Sequence, residues 1–244
     1  MTGETLTNHR ATWEAKPILK LLYTSWYQQM VKQMVPGRTL EVGGGSGNLK
    51  EFAPDVVCTD IVHVPWLDIV ADAQRLPFGA NSFKNIVLFD VLHHIENPVL
   101  FFDEAMRILG PGGRIVIMDP YVSWASWPVY HFLHPEPVDF SRNPLDISPP
   151  DKRRKPFDSN QAISRMLFEK MEDAFFGRFP LLVLRHKRYL SFLAYPLSGG
   201  FDHPSLIPTA WVPSLLRFEK LLEPLGRVFA FRLLLVLEVR RIQQ

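Results

Sequence analysis

Leu40-Glu41-Val42-Gly43-Gly44-Gly45-Ser46-Gly47 is the stretch that decides the fold, because an extended segment here runs straight into a cluster of glycines. Thr39 to Val42 reads as a strand, the glycines as a turn, and Asn48 to Phe52 as a short helix. Glycine suits such a turn because it takes φ > 0 without strain and lets a ligand approach bare backbone. The helix start that follows offers N–H groups and a positive dipole end to a carboxylate or phosphate. A second strand, Val56 to Thr59, closes on Asp60, where an acidic side chain suits the hydroxyls of a ribose. This much fits any nucleoside-containing cofactor.

The dinucleotide fingerprint G-x-G-x-x-G separates the candidates. Counted from Gly43 and Gly45, its third glycine falls on Asn48, so the nicotinamide pattern fails and an E-x-G-x-G-x-G arrangement stands instead. Outward from there, Asn85 to Phe89 carries the apolar run that a parallel strand buried on both faces requires. A helix from about Asn97 to Leu109, a turn at Gly110-Pro111-Gly112-Gly113 and another buried strand, Arg114 to Met118, follow. This alternation predicts an α/β fold with a doubly wound, mostly parallel sheet. Upstream, Ala15 to Met34 predicts an amphipathic helix with Ile18, Leu21, Leu22, Ser25, Trp26, Gln29, Met30 and Met34 on one face. Downstream, Pro120 to Pro156 has no period and reads as a lid. A helix resumes at Asp158, with Ile163, Met166, Leu167, Lys170, Met171, Ala174 and Phe175 on one stripe, and stops at Gly177. A strand near Leu181 to Phe192, a helix at Pro213 to Leu222 and a strand at Val228 to Arg240 complete the chain.

Five ordered stretches resemble the class I S-adenosylmethionine-dependent methyltransferases, in the subgroup related to ubiquinone/menaquinone-type enzymes. They are Leu40 to Gly47 with Asp60, Ala71 to Phe78, Ser82 to Val87, Val91 to His94, and Glu104 to Arg114. The resemblance covers roughly Thr39 to Pro120. It implies a Rossmann-like, seven-stranded sheet whose last two strands form an antiparallel edge, with an irregular or helical lid insertion. It also implies that Glu41 and the backbone of Gly43, Gly45 and Gly47 hold the methionine end of the cofactor. Asp60 would bind the ribose and Ile61 would flank the adenine. Asp72 and the Ala73 backbone would read the adenine edge, and Phe89 would lie beside the sulfonium. Two departures stand out. Only eleven residues separate Asp60 from Asp72, so a loop is expected there, with Trp66 or Leu67 covering the adenine. The helix after the glycines ends before Pro54.

His93 and His94 follow a buried strand at its carboxyl end, where open α/β sheets bind ligands. One of them is a candidate general base with a pKa near neutral, and shaping the pocket is the competing reading. In the lid, Tyr121, Trp124, His131 and His134 are candidate substrate contacts. His131 and His134 have HxxH spacing, for which Glu136 or Asp139 could complete a metal set; loop histidines are the favoured reading, and no metal is expected. Lys152-Arg153-Arg154-Lys155 reads as a solvated turn or as a contact for an acidic substrate group.

The whole chain bounds these readings. Its 244 residues, 47% of them hydrophobic, suffice for one α/β domain. The expected division is a helical cap over 1–36, a cofactor-binding half over 39–119, a lid over 120–178 and C-terminal strands and helix over 179–244. A net charge of +2 argues against a nucleic-acid partner. The single cysteine, Cys58, suits a reducing compartment, and the polar N-terminus lacks a signal sequence, so a cytoplasmic protein is expected. The longest apolar run, Val228 to Val239, is interrupted by Arg232 and Glu238 and falls short of the about 20 residues a membrane span takes. The expected activity is methyl transfer to an O, N or C nucleophile of a small molecule, apolar or lipid- or sugar-linked, and a homo-oligomer is compatible with it. A non-catalytic binding or partner subunit is one alternative. A nicotinamide oxidoreductase is the other, weakened by the missing glycine.

Overall fold

The computed structural model describes residues 2–149, 151–201 and 203–241, and begins with two helices, α1 (Thr2–Ala15) and α2 (Pro17–Val31). Residues 1, 150, 202 and 242–244, which belong to the expected cap, lid and C-terminal parts, lie outside that description. Then come β1 (Thr39–Val42), a single 3-10 turn at Asn48–Glu51, β2 (Val57–Asp60), β3 (Ile69–Val70), β4 (Phe83–Phe89), α3 (Pro98–Ile108) and β5 (Leu109–Pro120). The lid segment holds α4 (Ser126–Phe132) and runs into α5 (Ile163–Arg165), a π-helical turn at Met166–Lys170 and α6 (Glu172–Arg178). The remainder is β6 (Leu182–Leu190), α7 (Ala194–Ser198), α8 (Val212–Leu222), α9 (Gly226–Phe229) and β7 (Arg232–Val239).

The strands form one seven-stranded sheet in the order β3-β2-β1-β4-β5-β7-β6. β1 to β5 are parallel, and β7 runs antiparallel between β5 and β6. Alternation along the strands explains the two covered faces. Ile86, Leu88, Ile115, Ile117, Leu233 and Leu235 share a core with Phe101, Phe102, Leu167, Phe168 and Phe175. Val87, Phe89, Val116, Met118, Leu234 and Val236 face the opposite way, onto Leu22, Trp26 and Met30 of α2. Fully burying such side chains stabilises by about 1.5–3 kcal/mol each. This is the doubly wound, mostly parallel sheet expected from the sequence.

Several local expectations differ. The polar N-terminus forms α1, anchored by Trp13, which is fully buried, and by Leu6. Pro17 starts α2 afresh, and the buried face is Ile18, Leu19, Leu22, Tyr23, Trp26, Tyr27 and Met30; Leu21 is 42% exposed. The two tyrosines turn the helix so that their rings join the core, which apolar spacing alone does not reveal. The connection between Asp60 and Asp72 contains β3, paired with Thr59 and Asp60. The regular helix expected from Asp158 begins later and is interrupted, with Met171 N–H bonded to Met166 O at 2.9 Å. The wider turn brings Phe168 into the core and leaves Lys170 and Ala174 exposed. Gly110–Gly113 bulges between two pairings of β5 with β4, Leu109 opposite Phe83 and Arg114 opposite Asn85.

Candidate functional site

The carboxyl ends of β1 and β2 meet at the glycine loop. Gly43, Gly45 and Gly47 have φ of 68°, 49° and 77°, the left-handed region that favours glycine. A Cβ on Gly43 would come within 2.3 Å of Val91, so that position also needs glycine for packing. A Cβ on Gly45 meets only Leu6 Cδ2 at 3.7 Å and Gly43 O at 3.8 Å. The loop is therefore open above Gly45, apart from the flexible tip of Leu6. Asp60 Oδ2 accepts from Gly45 N–H at 3.0 Å and Oδ1 from Val62 N–H at 2.9 Å. With about four lone-pair sites, the carboxylate keeps acceptor capacity for a diol hydroxyl. Burial raises the Asp60 pKa against the opposing pull of these backbone N–H groups. Open backbone at Gly45 beside a carboxylate fits a nucleoside with a charged tail.

Glu41 lies under the loop rather than above it. It is 2% exposed, and the Cys58 thiol donates to its Oε2 at 2.9 Å. Burial pushes its pKa up to about 8, against the Cys58 hydrogen bond. Between about 4.5, where the unfolded chain ionises, and 8, the folded state therefore holds the extra proton. Stability is expected to fall as pH rises through that window, and Glu41→Gln to flatten this slope in thermal melts between pH 5 and 8. An unchanged slope would place the Glu41 proton elsewhere.

Trp66 roofs the glycine loop: its Nε1–H donates to Gly45 O at 2.9 Å, and Arg10 of α1 lies 4.8 Å over its ring. Leu6 joins Trp66 and Leu67 in a small apolar cluster, so α1 is the outer cover. Trp66, with Leu67 one of two expected covers for an adenine, is held over the glycine loop by the Gly45 carbonyl. Ile61 is 51% exposed beside Asp60. Asp72 is exposed and accepts from Gln74 N–H at 2.9 Å, and Ala73 is half-buried. Phe89 packs among Tyr23, Trp26 and Tyr27. Next to it, Asp90 has φ 56° and pairs with the buried Arg232.

Around the paired histidines the structure is densely bonded. His93 is 3% exposed; its Nδ1 lies 2.8 Å from Asp119 Oδ1, and its Nε2 lies 3.3 Å from Glu136 Oε2. His94 Nε2 lies 3.5 Å from Glu136 Oε1. The expectation of a histidine poised near neutral pH is corrected at both positions. Burial alone would lower His93, but the two carboxylates outweigh it and push the ring up to about 10. Burial and the neighbouring His93 charge push His94 down to about 4. Glu136 is held at about 2, because His93 more than offsets its burial.

The lid residues divide. Tyr121 is fully buried, its hydroxyl donates to Glu169 at 2.8 Å, and it borders a cleft shared with Trp124 and Arg165. Trp124 is 76% exposed. His131 stacks on Trp127 at 4.7 Å on the outer side of α4, while His134 lies 3.9 Å from Glu136. The basic run also divides: Arg153 is solvated, whereas Arg154 turns in and donates to His94 O at 2.7 Å.

A family model described as Methyltransferase domain matches residues 18–175, which include the glycine loop, Asp60 and the paired histidines. The chain belongs to the class I S-adenosylmethionine-dependent methyltransferase family. Among relatives, it is 28% identical over 110 residues to an uncharacterized protein of Methanocaldococcus jannaschii, covering 40% of this chain and 52% of that one. It is 30% identical over 131 residues to a demethylmenaquinone methyltransferase of Beutenbergia cavernae, covering 45% and 55%. The chain thus spans about half the length of these curated relatives. A SAM-dependent methyltransferase structure from Thermotoga maritima superposes with a TM-score of 0.53 over 96% of each chain at 14% identity, a likeness of fold. This family member carries two features that sequence reasoning missed, Asp119 behind His93 and Arg232 beside Asp90. Asp119 was signalled by its position, an acid at the carboxyl end of a buried strand like Asp60. Arg232 showed only as a break in an apolar run.

Proposed function

We propose that the protein transfers the methyl group of S-adenosylmethionine to a small-molecule acceptor bound between the carboxyl ends of β4 and β5 and the lid. The observation that carries this reading is the left-handed glycine loop facing the Asp60 carboxylate, within a family match spanning 158 residues, from 18 to 175. When bound, the cofactor supplies a methyl group already activated by its sulfonium. The loop backbone at Gly43, Gly45 and Gly47 holds the methionine end, with Glu41 bracing the loop from below. Asp60 accepts from the ribose hydroxyls. Ile61 flanks the adenine, and Asp72 and the Ala73 backbone meet its edge. Phe89 walls the sulfonium side. The chain's own contribution is alignment and exclusion of water, for which the cover formed by Leu6 and Trp66 is suited.

Beyond this cover, a cavity of about 170 Å³ is lined by His93, Asp139, Arg142, Asn143, Arg154 and Asn160. Its size and mixed charge suit the polar part of a small acceptor. Trp124, Phe132 and Leu133 lie exposed on the lid segment and suit an apolar portion. His134 beside Glu136 is a lid contact for the polar part; His131, on the outer side of α4, suits the apolar one.

Calorimetric titration with S-adenosylhomocysteine, with NADH as control, tests the cofactor class, and transfer of an isotopically labelled methyl group tests turnover. Asp60→Ala is expected to weaken S-adenosylhomocysteine binding by about 1.5–3 kcal/mol, the loss of hydrogen bonds to a charged group. An unchanged affinity would remove Asp60 from the ribose role.

A further inference from the structure

We propose that His93, His94 and Glu136 form a divalent-metal site at the carboxyl end of β4, closed by the lid segment. Their ligand atoms, two imidazole nitrogens and a carboxylate oxygen, all lie within 4.8 Å of one another. The distances among these groups admit an ion. His93 Nε2 and His94 Nε2 stand 3.3 and 3.5 Å from the Glu136 oxygens. Ligands bound tetrahedrally at about 2.0–2.2 Å from one ion are about 3.3–3.6 Å apart. A charge-assisted hydrogen bond closes to about 2.7–2.9 Å, as the same His93 ring does on its other side, where Nδ1 meets Asp119 at 2.8 Å. The wider separations facing Glu136, one to each carboxylate oxygen, leave room for an ion between the imidazoles and the carboxylate.

The surroundings are those of a built site. A metal-binding histidine characteristically gives its other N–H to a carboxylate, which fixes tautomer and orientation. Asp119, fully buried, does this for His93, and is itself held by the Ser164 hydroxyl at 2.5 Å. The Gln161 side-chain amide donates to Glu136 Oε2. Asn160 N–H donates to the His93 carbonyl at 2.9 Å, so the later part of the 120–178 segment clamps the backbone bearing the ligands. Charge agrees as well: Asp119 and Glu136 bring two negative charges, which a dication bound by neutral imidazoles would balance. Two imidazoles and one carboxylate suit zinc, cobalt or iron(II) rather than magnesium or calcium. HxxH spacing in the sequence pointed to His131 and His134, but His131 faces away.

Three protein ligands leave a position open, and one of them, His93, also lines the neighbouring cavity. An acceptor bearing a hydroxyl or carboxylate oxygen is the class that position takes. That role rests on the methyl-transfer reading; metal binding itself does not.

The test is a titration of chelator-treated, dialysed protein with cobalt(II), followed by visible absorption. One equivalent per chain with tetrahedral d–d bands is expected. Glu136→Gln and His94→Gln should each weaken cobalt binding at least tenfold, and Asp119→Asn, a positioning change, by about 10–100-fold. His63→Gln, at an exposed histidine, should leave it unchanged. Glu136→Gln keeps the side-chain shape, and a cooperative melt for it would separate lost binding from lost folding. Absence of cobalt binding at millimolar concentration, or binding that survives both Glu136→Gln and His94→Gln, overturns the site. If cobalt binds and S-adenosylhomocysteine does not, the metal site stands and the methyl-transfer reading falls.

Discussion

Gly45→Val is expected to abolish S-adenosylhomocysteine binding, by more than a hundredfold, while the protein still unfolds cooperatively. The two parts of this expectation have separate physical origins. Gly45 has φ 49°, so any side chain there carries backbone strain, of about 1–2 kcal/mol for an L-residue in the left-handed region. That lowers stability without removing the fold, because the space a Cβ enters holds only the Leu6 tip at 3.7 Å and one carbonyl at 3.8 Å. On the proposed function the same space is where the cofactor touches bare backbone, and valine fills it. The contrast with Gly43 is informative: a Cβ there would strike Val91 at 2.3 Å, so a loss of binding in Gly43→Val would report misfolding as readily as blocked access. Calorimetry paired with a thermal melt checks the claim. Wild-type affinity in Gly45→Val would sink the glycine-loop reading.

Arg232→Ala should cost about 3–5 kcal/mol of stability, the range for breaking a buried ion pair by removing one partner. Arg232 is 2% exposed at the start of β7, and its guanidinium lies 4.3 Å from the Trp26 ring centre and 4.7 Å from that of Tyr195. It pairs with Asp90, so a single side chain joins α2, the end of β4 and β7. Alanine removes the stacked cation, opens a void among four aromatic rings and strips Asp90 of its partner. For a chain of this size, the melting temperature should fall on the order of 10 °C. Adding Asp90→Asn to Arg232→Ala should cost little more, since the pair is already broken. A loss below about 1 kcal/mol would show that the aromatic rings close the gap unaided, contrary to the usual cost of such cavities.

The parts of this molecule that were legible in its sequence are those where local chemistry and fold agree. The glycine cluster and the apolar runs of β4 and β5 each meet a requirement their neighbours cannot change: positive φ and two buried faces. Where a long-range partner sets the outcome, sequence reasoning failed. Nothing near Glu41 signals that its carboxyl turns beneath the loop toward Cys58. Tyr121 resembles the other lid aromatics until Glu169, 48 residues on, takes its hydroxyl inward. The His93–His94 pair was singled out, but its character comes from Asp119 and Glu136, on a different strand and in the lid. Its protonation could not be read before those carboxylates were placed.

The sheet order carries a consequence for how the protein is made. β7 is an interior strand, flanked by β5 and β6, yet Arg114 of β5 must wait for Glu238 of β7, 124 residues later in synthesis. Contacts so distant along the chain form slowly. Until residues 232–239 emerge, the outer edge of β5 stays uncovered, and β6 has nothing in the sheet to pair with. A nascent or truncated chain ending before Arg232 would therefore expose apolar strand edges of the kind that seed aggregation. For this protein, a tag or fusion that perturbs Leu233–Leu237 should depress soluble yield more than the same alteration in α1, whatever its effect on the glycine loop.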